Sequence, residues 1–165
     1  MIQLRNINTV SPLEIQQLAN NYAVKKNLRD FFPFPYSLKD AAGFLELVAT
    51  GSMGHVFALY FEDTFVGVGS LIPQKHEHRI NAEIGYWVGE PYWGNGYATV
   101  AVKLLTQYAF KELDVLRLYA YVYSYNPASM RVLEKAGFQK EAIILSSIIK
   151  DKEIYDEHLY SIRKL

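Results

Sequence analysis

Tyr92-Trp93-Gly94-Asn95-Gly96-Tyr97-Ala98-Thr99 is the stretch that decides the fold, because a glycine loop here runs directly into an apolar helical pattern. Gly94 and Gly96 tolerate positive φ and have no Cβ, so backbone N–H groups can turn toward an anion at close range. The helix that follows adds unpaired N–H groups and the positive end of its dipole. The stretch predicts either a phosphate-binding loop or an ordinary tight turn before a helix.

Two common glycine motifs are absent from this stretch. A dinucleotide-binding fingerprint would have a third Gly or Ala at position 99, which is Thr99, and an acidic residue about 20 positions further on. Residues 116–120 contain no acidic residue. A nucleotide-triphosphate loop would have Gly-Lys followed by Ser or Thr, which occurs nowhere in the chain. An anion at this loop would therefore be held by backbone amides, with no obligatory lysine.

Composition narrows the class of protein. The chain has 165 residues, of which 50% are hydrophobic, so residues 1–165 have the size of one domain with one core. Its 17 basic and 17 acidic residues favour neither nucleic acid nor a membrane as a partner. The absence of cysteine excludes disulfides, thiolate zinc sites and a cysteine nucleophile. Without a leader-like segment or a long apolar run, we expect a cytoplasmic protein.

The first half of the chain alternates between strand and helix patterns. Residues 2–10 are predicted to form a strand, and residues 11–14 form a capping box that begins a helix, which fades by residues 28–30. Residues 37–40 start a second helix in the same way, with one apolar stripe. Strands are predicted over 55–61, 65–72 and 79–88, the first two joined as a hairpin.

The second half contains a strand, helix, strand unit. A helix is predicted from residue 98 to about 113, and residues 117–124 return as a strand that should lie parallel to 79–88. The glycine loop then lies at the C-terminal end of the first of these strands. A short helix over 127–136 and a hairpin of 138–149 with 153–163 complete the chain. We therefore predict an α/β (α+β) fold with a mixed, mostly antiparallel sheet of about seven strands and about four helices.

Three segments, read together, resemble the GNAT acetyltransferase superfamily: residues 83–88, the loop 92–99, and Asn126-Pro127-Ala128-Ser129 through Gly137-Phe138. The order and spacing of the elements match over essentially the whole chain. The chain looks most similar to the branch that contains the ribosomal-protein N-terminal alanine acetyltransferases, which Phe34-Pro35-Tyr36 also resembles. The resemblance implies acetyl coenzyme A (acetyl-CoA) as cosubstrate and an amine as acceptor.

The resemblance also implies where the cofactor lies. The two parallel strands are expected to splay apart after residue 87, and pantetheine pairs with backbone groups in the gap. The pyrophosphate is held at the loop, without a cationic contact from position 93, where many members have Arg or Gln. Asn126 and Ser129 match cofactor-contacting positions, although they could instead be a helix N-cap and a solvent-facing serine. The implied cofactor-binding residues are Val88, Trp93, Gly94, Asn95, Gly96, Tyr97, Ala98, Thr99, Asn126 and Ser129.

The chemistry requires a base, since an attacking amine must be neutral and a free alkylamine has a pKa of about 10. Glu83 is the candidate base, although it could instead be an ion-paired strand residue. Many superfamily members place a tyrosine acid where this chain has Leu133, which leaves Ser124 and Tyr125 as hydroxyl-bearing substitutes. In this family the Val88 N–H is the expected donor to the developing oxyanion.

Aromatic residues are numerous on the expected acceptor side, where they line a cleft or simply pack the core. The candidate acceptor-binding residues are Phe32, Phe34, Tyr36, Trp87 and Tyr121. His76-Glu77-His78 has no third ligand pattern, so we predict no metal site.

The predicted activity is acetyl transfer from acetyl-CoA to a primary amine, with a protein N-terminal α-amine favoured. A small-molecule amine (a polyamine, an amino acid or an aminoglycoside) and a non-catalytic CoA-binding module remain alternatives. Sequence leaves both a monomer and a homodimer open.

Overall fold

The computed structural model describes residues 1–165, which form one seven-stranded sheet with helices on both faces. The strands are β1 (Ile2–Asn6), β2 (His55–Phe61), β3 (Thr64–Pro73), β4 (Asn81–Val88), β5 (Arg117–Tyr123), β6 (Gln139–Lys150) and β7 (Glu153–Arg163). The helices are α1 (Pro12–Ala19), α2 (Tyr22–Lys25), α3 (Leu38–Ala49), α4 (Tyr97–Glu112) and α5 (Pro127–Lys135). The longest, α4, has 16 residues, and no helix is long and apolar enough to cross a membrane.

The sheet has the order β1-β2-β3-β4-β5-β7-β6. Only β4 and β5 are parallel, and every other neighbouring pair is antiparallel. This confirms the mixed, mostly antiparallel sheet and the parallel pair predicted from the strand, helix, strand unit. The helix α4 is the crossover between the parallel strands, as their direction requires.

Two apolar layers fill the space between the helices and the sheet. On one face, residues of α4 such as Val102 and Leu105 pack with Leu118 of β5 in one buried cluster. On the other face, Ile15 of α1 and Ala41 of α3 belong to a second cluster. Strand β4 contributes to both layers, with Ile84 in the first cluster and Trp87 packed against the second.

Two helix starts are formed as predicted. The side chains of Ser11 and Ser37 accept from the backbone N–H three residues on, and the carboxylates of Glu14 and Asp40 accept from the serine N–H in return. Hydrogen bonds from Ser37 hold the pKa of the Asp40 carboxyl below its usual value. Both boxes depend on residues within one turn, which is why sequence could locate them.

The first strand and first helix are shorter than predicted, and both predictions were wrong at their C-terminal ends. The strand ends at Asn6, whose side chain accepts from the Asn8 N–H and starts a 3₁₀ turn over Ile7–Thr9. The helix stops at Ala19 because Asn21 caps a separate short helix, accepting from the Ala23 N–H. Asparagine side chains compete with the backbone in this way. The structure therefore has five helices where about four were predicted.

Candidate active site

The parallel strands β4 and β5 pair only at their N-terminal ends. Their paired residues are Asn81 with Arg117, Ala82 with Leu118, and Glu83 with Tyr119. Beyond this point β4 follows its antiparallel neighbour β3, and β5 follows β7. The sheet therefore opens after Glu83, and the prediction that the strands separate after residue 87 was wrong by four residues.

Backbone polar groups face into this gap from both strands. The Gly89 N–H donates to the Val66 carbonyl at 2.8 Å, so Val88 and Tyr86 direct their N–H and C=O groups away from β3, because an antiparallel ladder alternates. On the other side, the Ser124 N–H donates to Asp156 of β7 at 3.0 Å, so Tyr121 directs its groups away from β7. The gap is an internal sheet edge that an amide-bearing ligand can fill.

The glycine loop closes the C-terminal end of the gap. Gly94 and Gly96 have φ of 79° and 75°, as the loop reading predicted. The six N–H groups from Gly94 to Thr99 donate to no group of the chain, and no side chain caps α4 at its Gly96 N-cap. The indole N–H of Trp93 donates to the Val88 carbonyl at 2.7 Å. The loop thus presents a row of free donors at the positive end of a 16-residue helix.

One cavity of about 1340 Å³ joins the gap and the loop. This is larger than the roughly 300–1000 Å³ of a typical small-molecule site, which suits two substrates that bind side by side. Nine of the ten predicted cofactor-binding residues line it, and Asn95 does not. The Asn95 amide instead donates to the carbonyls of Tyr92 and Trp93, so that it holds the loop together.

Asn126 is the helix N-cap that was considered for it, Ser129 is part-buried and not solvent-facing, and their contacts with the cofactor stay a prediction. The Asn126 side chain accepts from the Ser129 N–H at 3.3 Å and caps α5, and both residues line the cavity. The Ser129 hydroxyl lies 2.6 Å from the hydroxyl of Tyr86, which sequence analysis had not singled out. Burial raises the pKa of Tyr86 to about 12, so this hydroxyl stays protonated at neutral pH.

Glu83 lies where the strands separate and lines the cavity. Its carboxylate forms an ion pair with Arg29, and its side chain is 18% exposed against 65% for that of Arg29. The carboxylate is therefore both at the gap and ion-paired. The ion pair that was considered for Glu83 is present, and its position leaves the prediction of a base open. Arg29 was not predicted, because it lies 54 positions away in an irregular segment and carries no motif.

The segment that carries Arg29 is tied down through its carbonyl oxygens. Lys150, only 6% exposed, donates to the Leu28 carbonyl at 2.5 Å and to Asp30 at 2.8 Å. Lys25 donates to the carbonyls of Arg29 and Phe32. The hydrogen bond from Lys150 holds the pKa of the Asp30 carboxyl below its usual value. These donors fix the segment that brings Arg29 and Phe32 to the cavity.

Ser124 and Tyr125 are not brought to the cavity, contrary to the sequence prediction. The Tyr125 hydroxyl donates to the Lys26 carbonyl, and its ring packs edge-to-face on Tyr155 with centroids 4.7 Å apart. Burial also raises the pKa of Tyr125. Leu133, where many superfamily members have a tyrosine, is fully buried in the core.

Four of the five predicted acceptor-binding aromatic residues line the cavity. The ring of Phe32 lies 6.0 Å from Trp87 and 4.9 Å from Tyr36, centroid to centroid, and Tyr121 reaches the cavity from β5. Phe34 is the exception, since its ring packs against Tyr22 at 5.6 Å, outside the cavity. Tyr36 is 3% exposed and also belongs to the core, where burial raises its pKa to about 12.

The His76–His78 segment forms a 3₁₀ turn between β3 and β4. No group of three or more His, Cys, Asp or Glu side chains is placed to hold a metal ion.

Comparison with known proteins identifies the family. A family model described as an acetyltransferase (GNAT) domain matches residues 4–139. YjcK of Bacillus subtilis, a probable N-acetyltransferase, is 32% identical in an alignment of length 164 that covers 90% of this chain and 89% of that protein. YoaA of the same species, an uncharacterized N-acetyltransferase, is 38% identical over 93 residues, and the match spans 56% of this chain and 51% of that protein.

Solved structures share the fold at lower identity. RimL, a ribosomal L7/L12 alpha-N-protein acetyltransferase in complex with coenzyme A, matches with a TM-score of 0.83 and 20% identity, over 98% of this chain and 93% of that chain. Spermidine N-acetyltransferase from Vibrio cholerae, in complex with CoA and spermine, matches with a TM-score of 0.80 and 19% identity, over 99% and 94%. The resemblance predicted from the sequence is confirmed, and this chain belongs to the GNAT acetyltransferase family and is an N-acetyltransferase.

Proposed function

We propose that this protein transfers the acetyl group of acetyl-CoA to a primary α-amine at the N-terminus of a peptide or protein. The observation that carries the cofactor assignment is the row of six free N–H groups from Gly94 to Thr99, which opens on the same cavity as the gap between β4 and β5. A row of amides at a helix N-terminus favours phosphate oxygens, and the internal sheet edge favours an amide chain. Acetyl-CoA has both parts.

The cofactor's pyrophosphate fits the loop without a cation. The donors are backbone groups of Gly94, Gly96 and the first turn of α4, and the α4 dipole adds to their attraction for the anion. Trp93 supplies no charge, and its indole N–H is already bonded to Val88. The Val88 N–H and the backbone groups of Tyr86 and Tyr121 that face the gap would hold the pantetheine amides. When bound, the cofactor supplies a thioester whose carbonyl carbon is the site of attack.

Glu83 is the proton acceptor in this proposal. The carboxylate receives a proton from the incoming ammonium, directly or through water, which leaves the neutral amine that can attack. The ion pair with Arg29 orients this carboxylate in the cavity until an acceptor arrives. The proton that leaves the amine is thus held at a named atom, an oxygen of Glu83.

The geometry of β4 favours Tyr86 over Val88 as the oxyanion donor. Strand rise places the Val88 N–H about 17 Å from Glu83 along the strand, but the Tyr86 N–H only about 10 Å away. Both N–H groups face the gap, so the one nearer to the base is better placed to bind the thioester oxygen. Val88 then serves the pantetheine. Ser124 and Tyr125 lie outside the cavity and receive no catalytic role, and a CoA thiolate leaves without an obligatory acid.

The fold is shared with both RimL and spermidine N-acetyltransferase and does not choose between their acceptors, but the charges of the cavity weigh against a polyamine. Of the carboxylates that line it, Glu83 pairs with Arg29 and Asp40 caps α3, which leaves only Glu157 without an ion pair or hydrogen bond. A trication would need more acidic partners than that. A non-catalytic CoA-binding module has no support, since the family is one of acetyltransferases.

Thermal unfolding with and without saturating acetyl-CoA tests the cofactor assignment, with ATP and NADH as controls. A ligand at a hundred times its Kd stabilises the folded state by about 2.7 kcal/mol. Thiol release from acetyl-CoA then tests turnover with short peptides and with spermidine. A shift specific to acetyl-CoA, followed by acetylation of a peptide α-amine, supports the proposal. No shift, with folded protein present, contradicts it.

A further inference from the structure

Beside Glu83 the cavity continues as a chamber between α3 and the sheet, here called the α3 chamber. Its side walls are apolar and consist of Phe44, Leu47, Met53, Val56, Val68 and Ile72. Register places it at the reacting centre, because Ile72 pairs directly with Glu83 across β3 and β4. A group attached to an amine at Glu83 therefore has this chamber next to it.

Three small residues keep the chamber open. Two of them are Ser70 and Gly85, which pair across β3 and β4, so the sheet carries little side-chain volume beside the wall residue Val56. Above it, a Cβ at Gly43 of α3 would meet no atom within 4 Å. Protein interiors normally fill a helix-on-sheet layer to close packing. An unfilled apolar space beside a candidate base is therefore a place for part of a ligand.

The charges at the chamber favour an acceptor with a single positive charge. Arg29 and Lys39 line the cavity along with Glu83 and Asp40, so cations and anions balance on this side. Glu157 lies at the β5 side, opposite Tyr123 in the β5–β7 register. The chamber walls themselves carry no ionisable group that could receive a second ammonium.

We propose that the α3 chamber receives a bulky apolar group carried next to the amine that is acetylated. The preferred acceptor is then a monoamine with an aromatic or branched aliphatic substituent, whether the first residue of a peptide or a free amine. This inference rests on the proposed function and deepens it, because it names the chemical class of the acceptor at the same site.

A panel of acceptors compared in pairs tests the proposed class of acceptor amine on the wild-type protein. The pairs are a peptide that begins with Phe against one that begins with Gly, and phenethylamine against ethylamine, with spermidine as a polycation. The phenyl group lowers the pKa of the amine within each pair, so kcat/KM is expressed per neutral amine, from the titrated pKa of each acceptor, and the comparison then isolates the apolar group. We expect kcat/KM to be about 10- to 100-fold higher for the bulky member, as burial of one aromatic ring predicts. The peptide and free-amine pairs separate the two sources of the group.

A variant that fills the α3 chamber tests whether the apolar group of the acceptor lies there. Gly43→Leu places a side chain into the open space, and Glu46→Leu adds the same side chain to an exposed position of α3 outside the cavity. We expect Gly43→Leu to lower the preference for the bulky acceptor at least 10-fold, while its thermal shift with acetyl-CoA matches that of Glu46→Leu. Gly43→Ala is the second variant if leucine prevents folding, with a smaller loss of preference.

The outcomes separate this inference from the proposed function. Equal kcat/KM within both pairs, or the highest kcat/KM for spermidine, overturns the chamber assignment while acetyl transfer stands. An unchanged preference in the filled variant overturns it as well. Acetyl-CoA binding without acetylation of any amine in the panel overturns the proposed function and, with it, the inference.

Discussion

Gly96→Ala is the sharpest test of the phosphate loop, because the chain contains a matched control. Gly96 and Gly51 have φ of 75° and 78°, and a Cβ at either position would meet no atom within 4 Å. Alanine in this left-handed region costs about 1–2 kcal/mol at both sites. For 165 residues, an unfolding entropy of about 2.1 cal/mol/K per residue converts this into a loss of about 3–6 °C in Tm. The two variants should thus be destabilised alike.

Only Gly96→Ala should weaken acetyl-CoA binding, since Gly51 lies at the end of α3, outside the cavity. The Cβ of alanine at position 96 blocks the close approach of an anion to the backbone, and one charged hydrogen bond to the phosphate lost in this way costs about 2 kcal/mol, which raises Kd about 30-fold. At a concentration of a hundred times the wild-type Kd, the stabilisation then falls from about 2.7 to about 0.9 kcal/mol. The ligand-induced shift in Tm falls from about 8 °C to about 2–3 °C.

Differential scanning fluorimetry of the two variants, with and without acetyl-CoA, makes the comparison, and titration calorimetry gives the two Kd values. An equal ligand-induced shift in Gly96→Ala and Gly51→Ala would refute the argument that the pyrophosphate lies against this loop.

Three further predictions follow from single contacts. Glu83→Gln should lower kcat by about 10²- to 10⁴-fold; wild-type turnover in this variant would exclude Glu83 as the base. Lys150→Met leaves the Leu28 carbonyl without its donor and should cost about 1–3 kcal/mol in urea unfolding at pH 7. Because Lys150 lowers the pKa of Asp30, the Asp30 carboxylate contributes stability above its unfolded pKa of about 3.9, and this is lost as pH falls through the lower folded value. The difference between wild type and Lys150→Met should therefore narrow below about pH 4, and a constant difference down to pH 2 would contradict the ion pair. Gly43→Ala should raise stability by about 0.5–1 kcal/mol, since it removes a helix-interior glycine without a clash, and destabilisation would show that the chamber is already filled.

Elements whose signals lie within one or two turns were predictable. The capping boxes at Ser11 and Ser37 start helices where expected, and β2 and β7 have the predicted bounds. The first helix was predicted too long because Asn20 and Asn21 are individually compatible with a helix. Their side chains end the helix only because they bond to backbone groups outside it. The Asn20 side chain, for example, accepts from the N–H of Tyr36, 16 positions away.

The cofactor side of the site was more predictable than the acceptor side. Gly94 and Gly96 act through local backbone conformation, and the free N–H groups follow from the start of a helix. Arg29, Gly43, Ser70 and Gly85 come from four different elements, and nothing in their spacing marks them. Ser124 and Tyr125 precede Asn126 in the sequence but do not line the cavity, and the Tyr125 hydroxyl instead donates to the Lys26 carbonyl, 99 positions away.

By itself, the sequence determined the element order, the parallel β4–β5 pair and the glycine loop, because periodicity, capping and positive φ are properties of neighbouring residues. Only the tertiary structure decided where β4 and β5 separate, which cation faces Glu83, and that a chamber stays open under α3. Each of these depends on side chains that are distant in the chain and meet only when two helical layers close on the sheet. The site's anion-binding half is thus local in sequence, and its acceptor half exists only in the folded protein.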